Sequence, residues 1–155
     1  MIVELVSYLS PKRTTGISRY AHELYKQLNR QISVRLTQSN FLPFSNRFRF
    51  LSNFPIGIDN HHSGSIVHFT QIQGCAQMLW RPVHPALATV HDLGFFLCKE
   101  DQALLNPLER KIVNLHFSGL KKLDLIVAVS EFTRQTILSQ LNCDPQKVIT
   151  VHSGI

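Results

Sequence analysis

The chain has 155 residues, 44% hydrophobic and 17% charged, which suits one globular domain and excludes a disordered or low-complexity chain. Sixteen Lys and Arg against ten Asp and Glu give a net charge of +6, which calls for an anionic partner: phosphate, a membrane surface or nucleic acid. Cys75, Cys98 and Cys143 form no CxxC pair, which argues against a zinc or redox motif and for free thiols in a reducing compartment.

Residues 2–9 are a short apolar run that reads as a strand. No basic leader precedes it, and the longest clean apolar run, residues 125–129, is too short to span a bilayer. A cytoplasmic protein is expected, with room for a peripheral contact at the inner face of the membrane. A polar turn over 10–15 leads into helical period over 16–30, where Ile17, Tyr20, Ala21, Leu24 and Leu28 share a face and Thr14 or Thr15 can cap. Residues 32–37 alternate as a second strand, and 39–63, rich in Phe, Asn, Pro and Arg, read as a long irregular loop with room for a short helix. Strands follow at 65–70 and 86–91. A helix is expected over about 104–123, with Leu105, Leu108, Ile112 and Leu115 in period and Pro107 near its start. A fifth strand at 125–129, a helix over 131–141 and a sixth strand at 147–151 complete the pattern.

Continuous apolar strands separated by helices argue for a parallel sheet covered on both faces. The fold class is therefore α/β, a doubly wound (Rossmann-like) parallel sheet, read as a single domain over 1–155 with its first strand central. Such sheets bind ligands beyond the C-terminal ends of their strands. The charge is also lopsided: residues 1–77 hold eight basic and three acidic side chains, net +5, and residues 78–155 hold eight and seven, net +1.

Three segments at strand ends carry candidate chemistry. In the first, Pro11-Lys12-Arg13-Thr14-Thr15-Gly16 precedes a helix whose N–H groups could attract phosphate, with Lys12, Arg13 and Arg19 adding charge. A plain turn with solvated basic residues explains it equally well, and neither GxGxxG nor a Walker motif is present. In the second, His91 and Asp92 close a strand, where a neutral imidazole could serve as a base or hydrogen-bond donor with Asp92 fixing its tautomer. The competing reading is a satisfied core histidine and an Asp92 that caps the turn. In the third, Ser130 opens a helix with Glu131, Thr133 and Arg134, and an N-cap role alone accounts for it. The remaining histidines, His61 and His62 among them, lack metal-ligand spacing, and no metal site or cofactor is expected.

Taken in order, these segments resemble the N-terminal domain of a family 4 glycosyltransferase of the two-domain GT-B fold. The resemblance rests on Thr15-Gly16-Ile17-Ser18-Arg19-Tyr20 with Leu24 and Leu28, and on Thr89-Val90-His91-Asp92-Leu93. It continues from Asp124 through Ser130 and Arg134, then Asp144-Pro145-Gln146-Lys147-Val148 and Val151-His152-Ser153-Gly154-Ile155. Two departures stand out: Thr15 replaces the first Gly of the usual pair, and Ser153 replaces the usual Asn before Gly154.

The resemblance implies transfer of a sugar from a nucleotide-sugar donor to an acceptor hydroxyl, with retention at the anomeric carbon, in polysaccharide or glycolipid synthesis. It implies His91 near the reacting sugar as the catalytic contact. Thr15, Gly16, Arg19, Asp92 and Ser130 would bind substrate or support that cleft. It further implies that the donor is gripped mainly by a second, C-terminal Rossmann-like domain that these 155 residues do not contain, so that this chain alone is inactive. The acceptor would be a sugar or a lipid-linked sugar, whose phosphate would suit the basic first half. The rival is a non-catalytic α/β binding or interaction module. A nucleic-acid partner is not expected, because Lys and Arg are scattered and form no stripe.

Overall fold

The computed structural model describes residues 2–7, 15–38, 64–94, 98, 103 and 105–153. The basic turn with Lys12 and Arg13, the irregular stretch 39–63 with His61 and His62, and Gly154 and Ile155 lie outside the described residues. The described strands are β1 (Ile2–Ser7), β2 (Ser33–Gln38), β3 (Ser65–Phe69), β4 (Ala86–Val90), β5 (Leu125–Ala128) and β6 (Val148–Thr150). They form one sheet in the order β2-β1-β3-β4-β5-β6, parallel at every pairing. β1 shows why a continuous apolar run belongs here: Val3 to Ser7 are all buried, so both faces of the strand are covered.

One expectation is corrected. Among the described strands β1 stands next to the outermost, β2, and β3 and β4 hold the middle. Of these strands only β2 is laid on the outer side of β1, and each later one is added in the other direction. Right-handed crossovers then send the connections to opposite faces, and the direction of winding reverses between β1 and β3. Near the C-terminal end of the sheet, that reversal opens a crevice.

The helices begin where their caps dictate. Helix α1 (Gly16–Leu28) starts at Thr15, whose backbone is extended and whose side-chain oxygen accepts the Ser18 N–H at 3.2 Å. Helix α2 (Pro107–Leu120) starts three residues later than the apolar period implies. Asn106 and Glu109 form a reciprocal capping box there and Pro107 takes the first helical position. Helix α3 (Glu131–Leu141) matches the expected span and is capped by Ser130. A 3-10 helix, Ile72–Leu79, has no counterpart in the sequence reading. It is buried along most of its length, including Cys75 and Gln77, and therefore shows no polar face.

The core runs through Leu5, Phe69, Leu120, Leu123, Ile126 and Ile137, all fully buried. α2 lies directly on the 3-10 helix, and Gly119 is where the two backbones meet. A methyl group there would press into the carbonyl of Cys75 and lie 2.8 Å from the Ala76 nitrogen. Backbone on both sides cannot give way as a flexible side chain would. Gly119→Ala should therefore cost about 3 kcal/mol, the upper end of an overpacking penalty. In a domain of this size the thermal midpoint would fall by roughly 10 °C. An unchanged midpoint for this variant would show that the contact relaxes freely.

Candidate functional site

A cavity of about 800 Å³ opens at the crevice, between α1 and the segment that follows β4. From α1 it takes Gly16, Arg19, Tyr20, Glu23, Leu24 and Gln27, and from the loops after β4 and β6 it takes His91 and Ser153. The α1 residues recur at spacings of three and four, which places them on one face of the helix. Among the described residues nothing lies within 4 Å of where a side chain on Gly16 would begin, which leaves that side open toward a ligand. The first N–H groups of α1 put the positive end of the helix dipole at the same mouth, beside the Arg19 guanidinium. Glu23 adds a carboxylate, since the Lys26 ammonium hydrogen-bonds it at 2.9 Å and holds its carboxyl below the ordinary range.

His91 is half-buried, and its environment fixes its chemistry. Its Nε2 lies 3.1 Å from the backbone carbonyl of Thr70, just past β3. A carbonyl can only accept, so Nε2 carries the proton and the neutral ring presents Nδ1 as an acceptor. Burial lowers the imidazole below its usual range; the Thr70 carbonyl and the Asp92 charge oppose that shift without cancelling it. The tautomer is thus set by Thr70 rather than by Asp92, which is exposed. Tyr20 packs its ring against the imidazole in a T-shaped contact, centroids 4.8 Å apart and planes at 83°. A carboxylate–imidazole pair does exist elsewhere: Asp124 sits 2.8 Å from His84 Nδ1 and also accepts the Ala86 N–H. It lies at the N-terminal end of β4, the wrong end of the sheet for a ligand.

Of the residues singled out in the sequence, Gly16, Arg19 and His91 come together in the cavity. Thr15, Asp92 and Ser130 stand outside its lining. Thr15 caps α1, and Ser130 caps α3 by accepting the Thr133 N–H at 3.1 Å. Ser130 still reaches His91 at one remove, because Thr133 Oγ1 donates to the His91 carbonyl at 3.4 Å. Tyr20, Glu23, Leu24 and Gln27 were missed as site residues. Tyr20 and Leu24 read as part of an apolar face and of the motif that carries the family resemblance, with no ligand role; Glu23 and Gln27 follow Arg19 at four and eight residues, a stripe that reads equally as solvated surface. Ser153, at the position where the family resemblance departs, faces the cavity. Among the described residues no cluster of His, Cys, Asp and Glu could hold a metal ion, and no helix is long and apolar enough to cross a membrane.

A parallel doubly wound sheet with its cleft at the winding reversal is an architecture that glycosyltransferase N-terminal domains share with many other α/β proteins. The chain belongs to Glycosyltransferase Family 4, whose family model matches residues 32–155. That match takes in the His91 and Ser130 segments and begins beyond α1. No curated protein matches the sequence. Membership assigns a general glycosyltransferase role, with a sugar donor and an acceptor as substrates.

Proposed function

We propose that the protein transfers a sugar from a nucleotide-sugar donor to an acceptor hydroxyl, with retention at the anomeric carbon, in polysaccharide or glycolipid synthesis. The observation that carries this reading is the neutral His91, fixed on the Thr70 carbonyl and facing the dipole end of α1 across one cavity. In the reaction the acceptor oxygen bonds to the anomeric carbon as the bond from that carbon to the phosphate oxygen breaks. The acceptor proton departs with the diphosphate. His91 Nδ1 accepts a hydrogen bond from a hydroxyl of the transferred sugar, while Arg19 and the N-terminus of α1 offset charge on the leaving group. Gly16 gives the ligand backbone-close access, and the caps at Thr15 and Ser130 hold the two helix starts that frame the cleft. Asp92 biases the field at the imidazole.

In this reading the donor is held mainly by a second Rossmann-like domain facing this one. The acceptor, a sugar or lipid-linked sugar, lies along the polar stripe of Arg19, Glu23 and Gln27. The enzyme would work in the cytoplasm, at the membrane face when its acceptor is lipid-linked.

The full-length protein should release nucleoside diphosphate from one of a panel of UDP- and GDP-sugars only when an acceptor glycan is added. Calorimetric titration of the 155-residue chain with the same panel should show no low-micromolar binding, because half of the donor contacts are elsewhere. Tight binding would place the donor site within these residues. Absence of acceptor-dependent release across the panel would favour a non-catalytic binding module.

A further inference from the structure

Tyr20, which supports one side of the His91 ring, is itself tethered. Its hydroxyl lies 3.1 Å from Thr89 Oγ1, and Thr89 Oγ1 lies 2.8 Å from His68 Nε2. Thr89 is fully buried, so its hydroxyl proton has no water to meet. A threonine hydroxyl has one proton and can accept twice. Thr89 therefore donates to one of its two partners and accepts from the other. Either Tyr20 donates to Thr89 and Thr89 to His68, or the whole run points the other way and frees the Tyr20 proton for the cavity. In both arrangements the same oxygen fixes the phenol.

We propose that His68, Thr89 and Tyr20 form a hydrogen-bonded positioning run that, with the Thr70 carbonyl, clamps the His91 imidazole in one orientation and one tautomer toward the sugar. Two independent grips hold the ring: the carbonyl on Nε2 and the tethered Tyr20 ring against it. The carbonyl alone leaves the imidazole free to swing about that bond, and the Tyr20 ring stops the swing. Tyr20 comes from α1 and Thr89 from β4, 69 positions apart in the chain. The tether thus also sets the width of the cleft at His91. None of the three residues needs to touch substrate, and they are positioning residues. The catalytic consequence rests on the glycosyl-transfer reading, whereas the geometry of the ring does not.

The test separates the two. Long-range ¹H–¹⁵N NMR at neutral pH reads the tautomer of each imidazole directly. In the unaltered protein His91 should be a single Nε2–H tautomer. Thr89→Val keeps the shape and removes the shared oxygen; Tyr20→Phe keeps the ring and removes only the hydroxyl. Both should draw the two His91 nitrogen shifts together as the ring samples both forms, and Thr89→Ser should restore the original spectrum. Should Thr89→Val fail to fold, Tyr20→Phe decides. His91 spectra unchanged in the folded variants overturn the proposal. In the full-length enzyme, assayed with the UDP- and GDP-sugar panel, Thr89→Val and Tyr20→Phe should each lower kcat about ten-fold or more, with KM within about two-fold. The double variant should lose no more than Thr89→Val alone, since both remove one tether. Normal turnover in both variants overturns the positioning role. An NMR effect in an enzyme that turns over none of the panel leaves the clamp standing and removes the glycosyl-transfer reading instead.

Discussion

His91→Ala should, on the glycosyl-transfer reading proposed above, lower kcat by about 10²–10³-fold, the usual cost of removing one preorganised contact to a developing charge. The thermal midpoint should move by only a few degrees. The ring is half-buried at a cavity wall, and its hydrogen bond goes to a carbonyl that cavity water can reach once the imidazole is gone. Losing that bond and the Tyr20 contact costs about 1–2 kcal/mol, which lowers the midpoint of a domain this size by roughly 3–8 °C. A core histidine would give the reverse pattern, with a large loss of stability and turnover reduced only through unfolding. Both quantities measured on the same variant decide the matter. A destabilised protein whose folded fraction turns over normally would remove His91 from the reaction.

Acidification should unfold the protein between pH 6.5 and 4. Burial pulls His68 down to about 4, with the nearby His91 adding to the shift, and burial alone pulls His116 down to about 4. In the unfolded chain both titrate near 6.5. Between those values the unfolded chain binds two protons that the folded chain refuses. Stability therefore rises with pH and falls as pH drops through this window. Each shift, 6.5 minus 4, corresponds to roughly 3 kcal/mol, and the pair to roughly 7 kcal/mol. That is comparable with the whole stability of a typical domain, about 5–15 kcal/mol. His91, lowered by the same cause, acts in the same direction.

The two histidines differ in how they are held. His68 has the Thr89 hydroxyl, whereas among the described residues neither ring nitrogen of His116 has a partner. His116→Leu should therefore remove about half of the pH dependence and raise stability at neutral pH as well, because an orphaned buried polar group is replaced by an apolar one of similar size. Urea midpoints at several values between pH 7.5 and 4.5 provide the measurement. A flat midpoint across that range would mean that these rings are protonated in the folded protein.

Most of the sheet was legible because its strands are continuous apolar runs, and that pattern follows from burial on both faces. Its centre was not. Nothing in the composition of β1 distinguishes a middle strand from one next to the edge, since both are covered by helices and flanked by partners. The Ile72–Leu79 helix was hidden for a related reason: periodicity reveals a helix only when one face meets water. At the site, Gly16, Arg19 and His91 could be found because glycine, arginine and histidine at strand ends are informative by type and place. Thr70 could not, because it contributes a backbone carbonyl, and a carbonyl leaves no trace in residue identity. Tyr20 was seen and assigned to packing, which it does, while the same ring forms the wall of the cavity.

The Tyr20–Thr89 tether has one more consequence. α1 and the β3–β4 centre are brought together from distant parts of the chain, and closing so long a loop opposes their meeting. The cleft is therefore also a seam of the fold, and its occupant touches both sides of that seam. Whatever binds between Arg19 and His91 acts as a bolt across it. Recognition of the ligand and cohesion of the N-terminal unit with the rest of the sheet are, at this one place, a single set of contacts.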